Sequence, residues 1–501
     1  MLDGSVFPDP VYRDTVLAPL FDGVRQHYSG FMAAINQAHL VMLSDARILD
    51  DDAVGAIAGA LQAIQEEVDV EALRYTGEHE DYFFLVESEL KARLGADVGG
   101  MLHTARSRND MDHTVFKMAL REYCDRLLAQ ALQLANVLLQ KAQVERDTLI
   151  VAYTHGQPAQ PSTFAHYLGA VLEVLLADMR RILDARKALD LCPMGAAAIT
   201  TSGFPIDRRQ MAELLGFAAP KRNSYGCIAS VDYVTGLYSA IRLLFVHLGR
   251  VIQDMAFWSA FEVGQLYVPN SLVQISSIMP QKRNPVPIEH MRHLASVTAG
   301  RCDTIVNTMH NTPFTDMNDS EGEVQAAGYA AFDSGGRVLE LLSAFMASVS
   351  INEERVAQNA DAACITITEL ADTLVREEGL SFRQAHEIAA STANAVIAEG
   401  MALQAAYPAF SQAFQDETGR PGKLSESSFR QAVSMRNFVE LRDRFGGPAT
   451  AAMDEALAAY TRELDELLEI VTACRNRLQT ADEQRLKSFN ALLENQKTWQ
   501  A

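Results

Sequence analysis

The chain has 501 residues, of which 48% are hydrophobic and 21% charged, suiting a soluble globular protein with a large core and room for two to four domains. A formal net charge of -21 argues against nucleic acid or an anionic membrane as a bulk partner, while leaving room for a local basic pocket. Six scattered cysteines (Cys124, Cys192, Cys227, Cys302, Cys364 and Cys474) show no CxxC or metal-like pairing and read as reduced core thiols. The opening M-L-D-G-S-V-F-P-D-P lacks the basic and apolar regions of a signal peptide, and no apolar run approaches membrane length. The expectation is a cytoplasmic protein.

Helical patterns come first around Leu17–Leu43 and Asp52–Val68, the second introduced by L-D-D-D, whose carboxylates suit a cap. Glu80 to Leu94 follows, with Phe84, Leu85, Leu90 and Leu94 near helical spacing. From Asn109 to Val144 there is neither Pro nor Gly, and leucines recur, predicting one long helix. Further long helices are predicted over Pro161–Asp190, Ile228–Val263, the stretch after Pro285, and Gly322–Val349. Strand signals are weak throughout, with no hairpin dipeptide. Helices near 30 residues exceed the usual globular length and need partners along their whole length, in a bundle or across subunits. The expected fold is all-α, with an N-terminal mainly helical domain (1–108), a central long-helix bundle (109–362) and a smaller helical C-terminal domain (363–501).

Three polar segments stand at helix starts. T-A-R-S-R-N-D at 104–110 offers Arg forks and Asn109 beside a helix N-terminus, a good setting for a carboxylate. A capped helix with solvated arginines explains the same residues taken alone. Y-T-H-G-Q-P-A-Q-P-S-T-F at 153–164 puts Thr154, His155 and Gln157 on a polar turn, better suited to a pocket wall than a core. A single histidine is more often structural, yet a carboxylate such as Glu289 reaching His155 would fix its tautomer and raise its pKa. I-S-S-I-M-P-Q-K-R-N-P-V-P-I-E at 275–289 reads as a mobile loop carrying Ser276, Ser277, Met279 and Lys282. It runs into a helix capped by Asn284, with Pro285 at its first position. Hydroxyls and a lysine ahead of a helix N-terminus favour anions.

The combination S-S-x-M-P-x-K-x-N-P resembles the shared loop of the fumarase/aspartase superfamily, whose members cleave C–N or C–O bonds of succinyl compounds and release fumarate. With the other two segments in the same order, the chain is similar to the argininosuccinate-lyase branch, from about Asp81 to L-A-D-T-L-V-R-E-E-G-L-S-F-R-Q-A-H-E at 370–387. The resemblance implies that Ser276 removes the Cβ proton, with Lys282 and the helix end stabilising its alkoxide. Lys282 and Asn284 would hold the carboxylate that takes up charge. His155, paired with Glu289, is the candidate acid for the leaving nitrogen, and Ser107, Arg108, Asn109 and Thr154 would hold substrate carboxylates. It also implies a homotetramer whose sites each draw on three chains. Neither metal nor cofactor is expected, since no phosphate loop or ligand-spaced histidines occur and the reaction needs only acid, base and anion stabilisation.

The chain departs from the branch on the substrate side. The loop has Ile275 where a Gly is usual. E-D-x-H becomes Glu80-Asp81-Tyr82-Phe83, N-D-Q-V-A-T-D becomes N-D-M-D-H-T-V (109–115), and N-S-x-D-A-V-S-D-R-D becomes N-S-Y-G-C-I-A-S-V-D (223–232). Y-N-x-D-x-Q-E-D-K corresponds to D-M-N-D-S-E-G-E-V (316–324), bringing in Asp316 and Glu321 and losing a lysine. Such a pocket suits a cationic amine or diamine, which favours an N-substituted aspartate of the ethylenediamine-disuccinate kind over argininosuccinate. A fumarase-like hydratase shares the loop but not the other two motifs. A non-catalytic crystallin-like relative would be expected to lose Ser276, His155 or Lys282, and all three are present. A plain helical scaffold leaves three polar motifs at helix starts without a reason.

Overall fold

A computed structural model describes residues 6–499, with side chains to residue 494. Five long helices form the centre: Arg108–Val144, Phe164–Leu189, Asp232–Ser259, Val286–Thr308 and Gly322–Ser348. Arg108–Val144 packs on Phe164–Leu189 and on Gly322–Ser348. Asp232–Ser259 packs on Phe164–Leu189 and Val286–Thr308, and the last of these on Gly322–Ser348, closing a ring of neighbours. The fold is all-α. Its strands, among the described residues, are four two-stranded pairs, the longest Leu149–Thr154 against Gln157–Thr163. No described helix is long and apolar enough to cross a membrane.

Small residues let the central helices close on one another. On Gly322–Ser348, Gly328 and Gly335 lie seven residues apart, two helical turns on one face. A Cβ at Gly328 would stand 2.1 Å from the Tyr238 hydroxyl, and one at Gly335 would stand 2.5 Å from the Phe245 ring. Both aromatic side chains are buried on Asp232–Ser259.

The sequence places most elements within a few residues. Asp50 caps Asp51–Glu67 by accepting from Ala53 N–H at 2.8 Å. The pattern over Leu17–Leu43 divides into Ala18–His27 and Ser29–Asp45. At the break Tyr28 leaves helical dihedrals (φ -126°, ψ -18°), and its buried hydroxyl lies 2.8 Å from that of Tyr329. The Ile228–Val263 pattern likewise divides at Ser230, between Ser224–Ala229 and Asp232–Ser259.

The domain scheme changes most. In the described helices of the first hundred residues, Phe21, Ile35, Leu40, Ile57 and Leu90 belong to one continuous core with the central bundle. Residues 364–433 do have their own core, around Leu370, Leu374, Ile388, Phe410, Phe414 and Phe429. The 50-residue helix Thr450–Trp499 joins the bundle instead of this second core. It packs on Ser29–Asp45, Asp51–Glu67, Arg108–Val144 and Phe164–Leu189. Its buried Met453, Leu457, Tyr460, Leu464, Leu467 and Val471 recur at alternating spacings of four and three, a stripe that must find an apolar partner.

The molecule is spread out. It exposes 24484 Å², where a compact monomer of 55.0 kDa exposes about 18,000 Å².

Gly335→Ala is expected to lower unfolding stability by about 1–3 kcal/mol, because the added methyl meets a buried ring with no room to move. Urea denaturation checks this, and an unchanged midpoint would show that the helices do not cross so closely.

Candidate functional site

The 104–110 segment is built around Asp110. Ser107 caps Arg108–Val144 in a reciprocal capping box with Asp110. The Asp110 carboxylate, 0% exposed, accepts Ser107 N–H at 3.0 Å and, through its other oxygen, Gly195 N–H and Ala197 N–H at 2.9 Å each. It thus ties the helix start to the 195–198 turn, whose Ala198 carbonyl accepts from Asn109 Nδ2 at 3.4 Å. Burial pushes the Asp110 pKa up to about 6 against those three donors. Arg108 donates through Nη1 to Asp81 at 2.7 Å and to Glu80 at 3.0 Å, and its guanidinium lies over the Phe84 ring. These acids raise its pKa despite the opposing effect of burial.

Beside this helix start lies an acidic cluster. Asp112 and His113 follow Asn109 on the same helix, His113 four residues on and so on the same face. Asp316 and Glu321 come from the turn before Gly322–Ser348, where Glu321 occupies the N-cap position without a side-chain cap bond. His113 Nε2 stands 3.9 Å from Asp316 Oδ1, and Glu321 lies against the Asp316 carboxyl. Burial, then the charges of Asp112 and Asp316, push Glu321 up to about 9. Burial, then Asp81, push Asp112 up to about 8. Burial, with Lys117 and Lys221, drives His113 down to about 3, so its ring is neutral. With their pKa values raised this far, Asp112 and Glu321 hold protons near neutral pH and can give them up to an arriving cation.

The histidine segment differs from a simple turn before a helix. Strand Leu149–Thr154 pairs antiparallel with Gln157–Thr163, and Thr154 faces Gln157 across a two-residue loop. His155 (φ +54°) and Gly156 (φ +74°) are both left-handed, as a type I′ hairpin demands. His-Gly is an uncommon pair for this turn, which is why the sequence hides it. The following helix therefore starts at Phe164 instead of Pro161, with Thr163 accepting from His166 N–H at 3.1 Å. Thr154, His155 and Gln157 stand exposed at the tip, over a cleft of about 550 Å³ lined by Tyr153, His166, Asp254 and Trp258.

The serine loop closes a second small hairpin. Gln274–Ile275 pairs with Arg283–Asn284, leaving 276–282 as its loop. Asn284 is thus a strand residue opposite Gln274 and not a cap; Pro285 takes the N-cap position and the helix begins at Val286. The reason is local: the ladder to Gln274 holds Asn284 as a strand residue. Ser276 Oγ accepts from Met279 N–H at 3.1 Å, and Lys282 N–H donates to the Met279 carbonyl at 2.9 Å. Ser277, Met279 and Lys282 are exposed, and Ile275 is 79% exposed. Glu289 lies in the first turn of the helix, also exposed.

Among the described residues, no hydrogen bond or ion pair joins the three segments, and His155 and Glu289 do not meet within one chain. What the chain does bring together is the 107–110 helix start with Asp316 and Glu321. Asp112, His113 and Tyr233 complete that corner. The four-residue step from Asn109 marks His113 alone as sharing that helix face; Tyr233 joins it only through the fold.

Residues 24–300 of this helical bundle match the family model described as Lyase. Residues 364–440 match the model of the argininosuccinate lyase C-terminal region. The chain is 61% identical over 463 residues to argininosuccinate lyase 2 of Agrobacterium fabrum, covering 92% of each. It is 31% identical to argininosuccinate lyase 1 of Shouchella clausii, covering 97% of this chain and 98% of that one. Among solved structures, EDDS lyase in complex with formate superposes with a TM-score of 0.83 at 26% identity, over 98% of this chain and 99% of that one. An EDDS lyase variant with bound fumarate gives 0.84 at the same identity and coverage. The chain belongs to the argininosuccinate lyase family and is a carbon–nitrogen lyase.

Asp110→Ala is expected to cost about 2–4 kcal/mol, since it strands buried N–H groups of Ser107, Gly195 and Ala197, while Asp110→Asn, keeping one acceptor, costs less. Thermal unfolding of the two variants checks the order; equal stability of all three proteins would refute the tie.

Proposed function

We propose that this lyase releases fumarate, reversibly and by anti β-elimination, from an N-substituted aspartate whose amine half is cationic, such as ethylenediamine-N,N'-disuccinate. The observation that carries the preference is the acidic corner of Asp112, Asp316 and Glu321 beside the Asn109 helix start. Three carboxyls crowded there disfavour the carboxylate of an arginine moiety, whereas an ammonium would let the raised Asp112 and Glu321 carboxyls ionise against it. Argininosuccinate is the second reading, favoured by the names of the relatives at 61% and 31% identity. EDDS lyase, at 26%, supports the first.

In this reading Ser276 takes the Cβ proton. A serine hydroxyl is a weak base, so its alkoxide needs Lys282 and the N-terminus of Val286–Thr308, both adjacent on the chain. Electrons from the broken C–H bond move into the neighbouring carboxylate, and Lys282 and Asn284 stabilise the added charge. Loss of the C–N bond then forms fumarate, with His155, oriented by Glu289, protonating the leaving nitrogen directly or through water. Ser107, Asn109, Thr154, Gln157, Ser277 and Met279 hold the succinyl part. Arg108, whose Nη1 is engaged by Asp81 and Glu80, offers its remaining N–H groups to a substrate carboxylate.

Since one chain keeps these segments apart, each site would be assembled from several copies, three chains of a homotetramer. The excess exposed surface, the exposed serine loop and the exposed His155 hairpin support this. A cytoplasmic location accords with the reduced, unpaired cysteines.

Ser276→Ala is expected to lower the rate of fumarate appearance, read by ultraviolet absorbance, by roughly 10²–10⁴-fold with the fold intact. Retained turnover would end the assignment of the base. Glu321→Gln should lower kcat/KM for the diamine disuccinate by about 10–100-fold, the worth of a charged hydrogen bond. Faster wild-type turnover of argininosuccinate than of the diamine disuccinate would reverse the ranking of substrates.

A further inference from the structure

His113 Nε2 and one carboxylate oxygen each of Asp316 and Glu321 all lie within 4.8 Å of one another. The His113 side chain is 1% exposed and its Nε2 points into this gap with no hydrogen-bond partner. Asp316 Oδ1, 3.9 Å away, is also shut from solvent and unpartnered. At that separation a proton on Nε2 makes no hydrogen bond to the carboxylate. Without a proton, a lone pair faces carboxylate oxygens. Either way, buried polar atoms in a native protein are expected to have a partner, and here the gap between them holds none from the chain.

The other ring nitrogen is provided for: His113 Nδ1 lies 3.2 Å from the Tyr233 hydroxyl. When Nδ1–H donates to Tyr233, the Nε2 lone pair is left for the gap, the arrangement by which metal-bound histidines are commonly oriented. One imidazole and two carboxylates suit a first-row divalent ion such as Zn²⁺ or Co²⁺, whose bonds of about 2.0–2.2 Å need these side chains to close by less than about 1 Å. The ligands come from positions 113, 316 and 321, so no local spacing in the sequence could disclose them. Asp81 and Asp112 lie nearby, outside the group whose ligand atoms converge.

We propose that His113, Asp316 and Glu321 form a binding site for a divalent transition-metal ion. The ion would occupy the corner assigned above to the cationic end of the substrate amine, so bound metal and amine would exclude one another. The metal site itself does not depend on that assignment.

Equilibrium dialysis of the full-length, EDTA-stripped protein against Zn²⁺, with metal counted by mass spectrometry, tests it. Wild type is expected to retain one Zn²⁺ per chain. Losing an outer partner of a metal ligand costs about 10–100-fold in affinity, and His113→Gln and Glu321→Gln, which remove ligands, should each cost at least that. Glu321→Gln keeps the test open should the buried His113→Gln fail to fold by circular dichroism. With Co²⁺, the visible spectrum should lack a thiolate charge-transfer band, because no cysteine belongs to the site. Unaltered Zn²⁺ retention in both folded variants, a thiolate band, or no retention by wild type would overturn the site. None of these outcomes bears on fumarate release, which the substrate comparison decides separately.

Discussion

Rigid helices decide where the polar segments can be. A 37-residue helix such as Arg108–Val144 runs roughly 55 Å, and five long helices packed in a closed ring leave little freedom to bend toward one another. Asn109 stands in the first turn of a long helix, while Ser276 and His155 stand on a loop and a hairpin that lead into two others. A side chain cannot cross such distances. The consequence is that the three polar segments stay apart within one chain. Glycines at 328 and 335 matter for the same reason, since they set how closely the helices cross and so where their ends point.

Charge divides the proposed site into two halves. The serine loop brings Lys282 and a helix N-terminus, both suited to anions, and the other half brings Asp112, Asp316 and Glu321, suited to a cation. A succinyl group joined to a charged amine has the same division. Arg108 belongs to the second half: it is engaged by Asp81 and Glu80, and it moderates the acidic corner from one side. Asp110 fixes the geometry of both Arg108 and Asn109 by tying the helix start to the 195–198 turn.

Much of this was readable from residues alone. The long helices follow from apolar periodicity and uninterrupted runs, and the L-D-D-D cap acts as its chemistry predicts at Asp50. The segment at 153–164 was less readable, because the hairpin depends on left-handed backbone at His155, a residue seldom used there. Asn284 carried a capping signal that a two-residue ladder overrode. The return of the last helix to the bundle was present as a stripe from Met453 to Val471, but a stripe tells that a partner exists and not which one. The acidic corner needed tertiary structure, because positions 113, 316 and 321 meet only when the bundle closes.

The most direct test of a site shared between copies is subunit mixing. Ser276→Ala and His155→Asn, each expected to be inactive alone, would be unfolded and refolded together. The shared-site account predicts that hybrid oligomers regain fumarate release, because some sites then draw an intact loop and an intact hairpin from different chains. Mixed oligomers that form and stay inactive at every ratio, or a wild-type monomer with full activity, would contradict it.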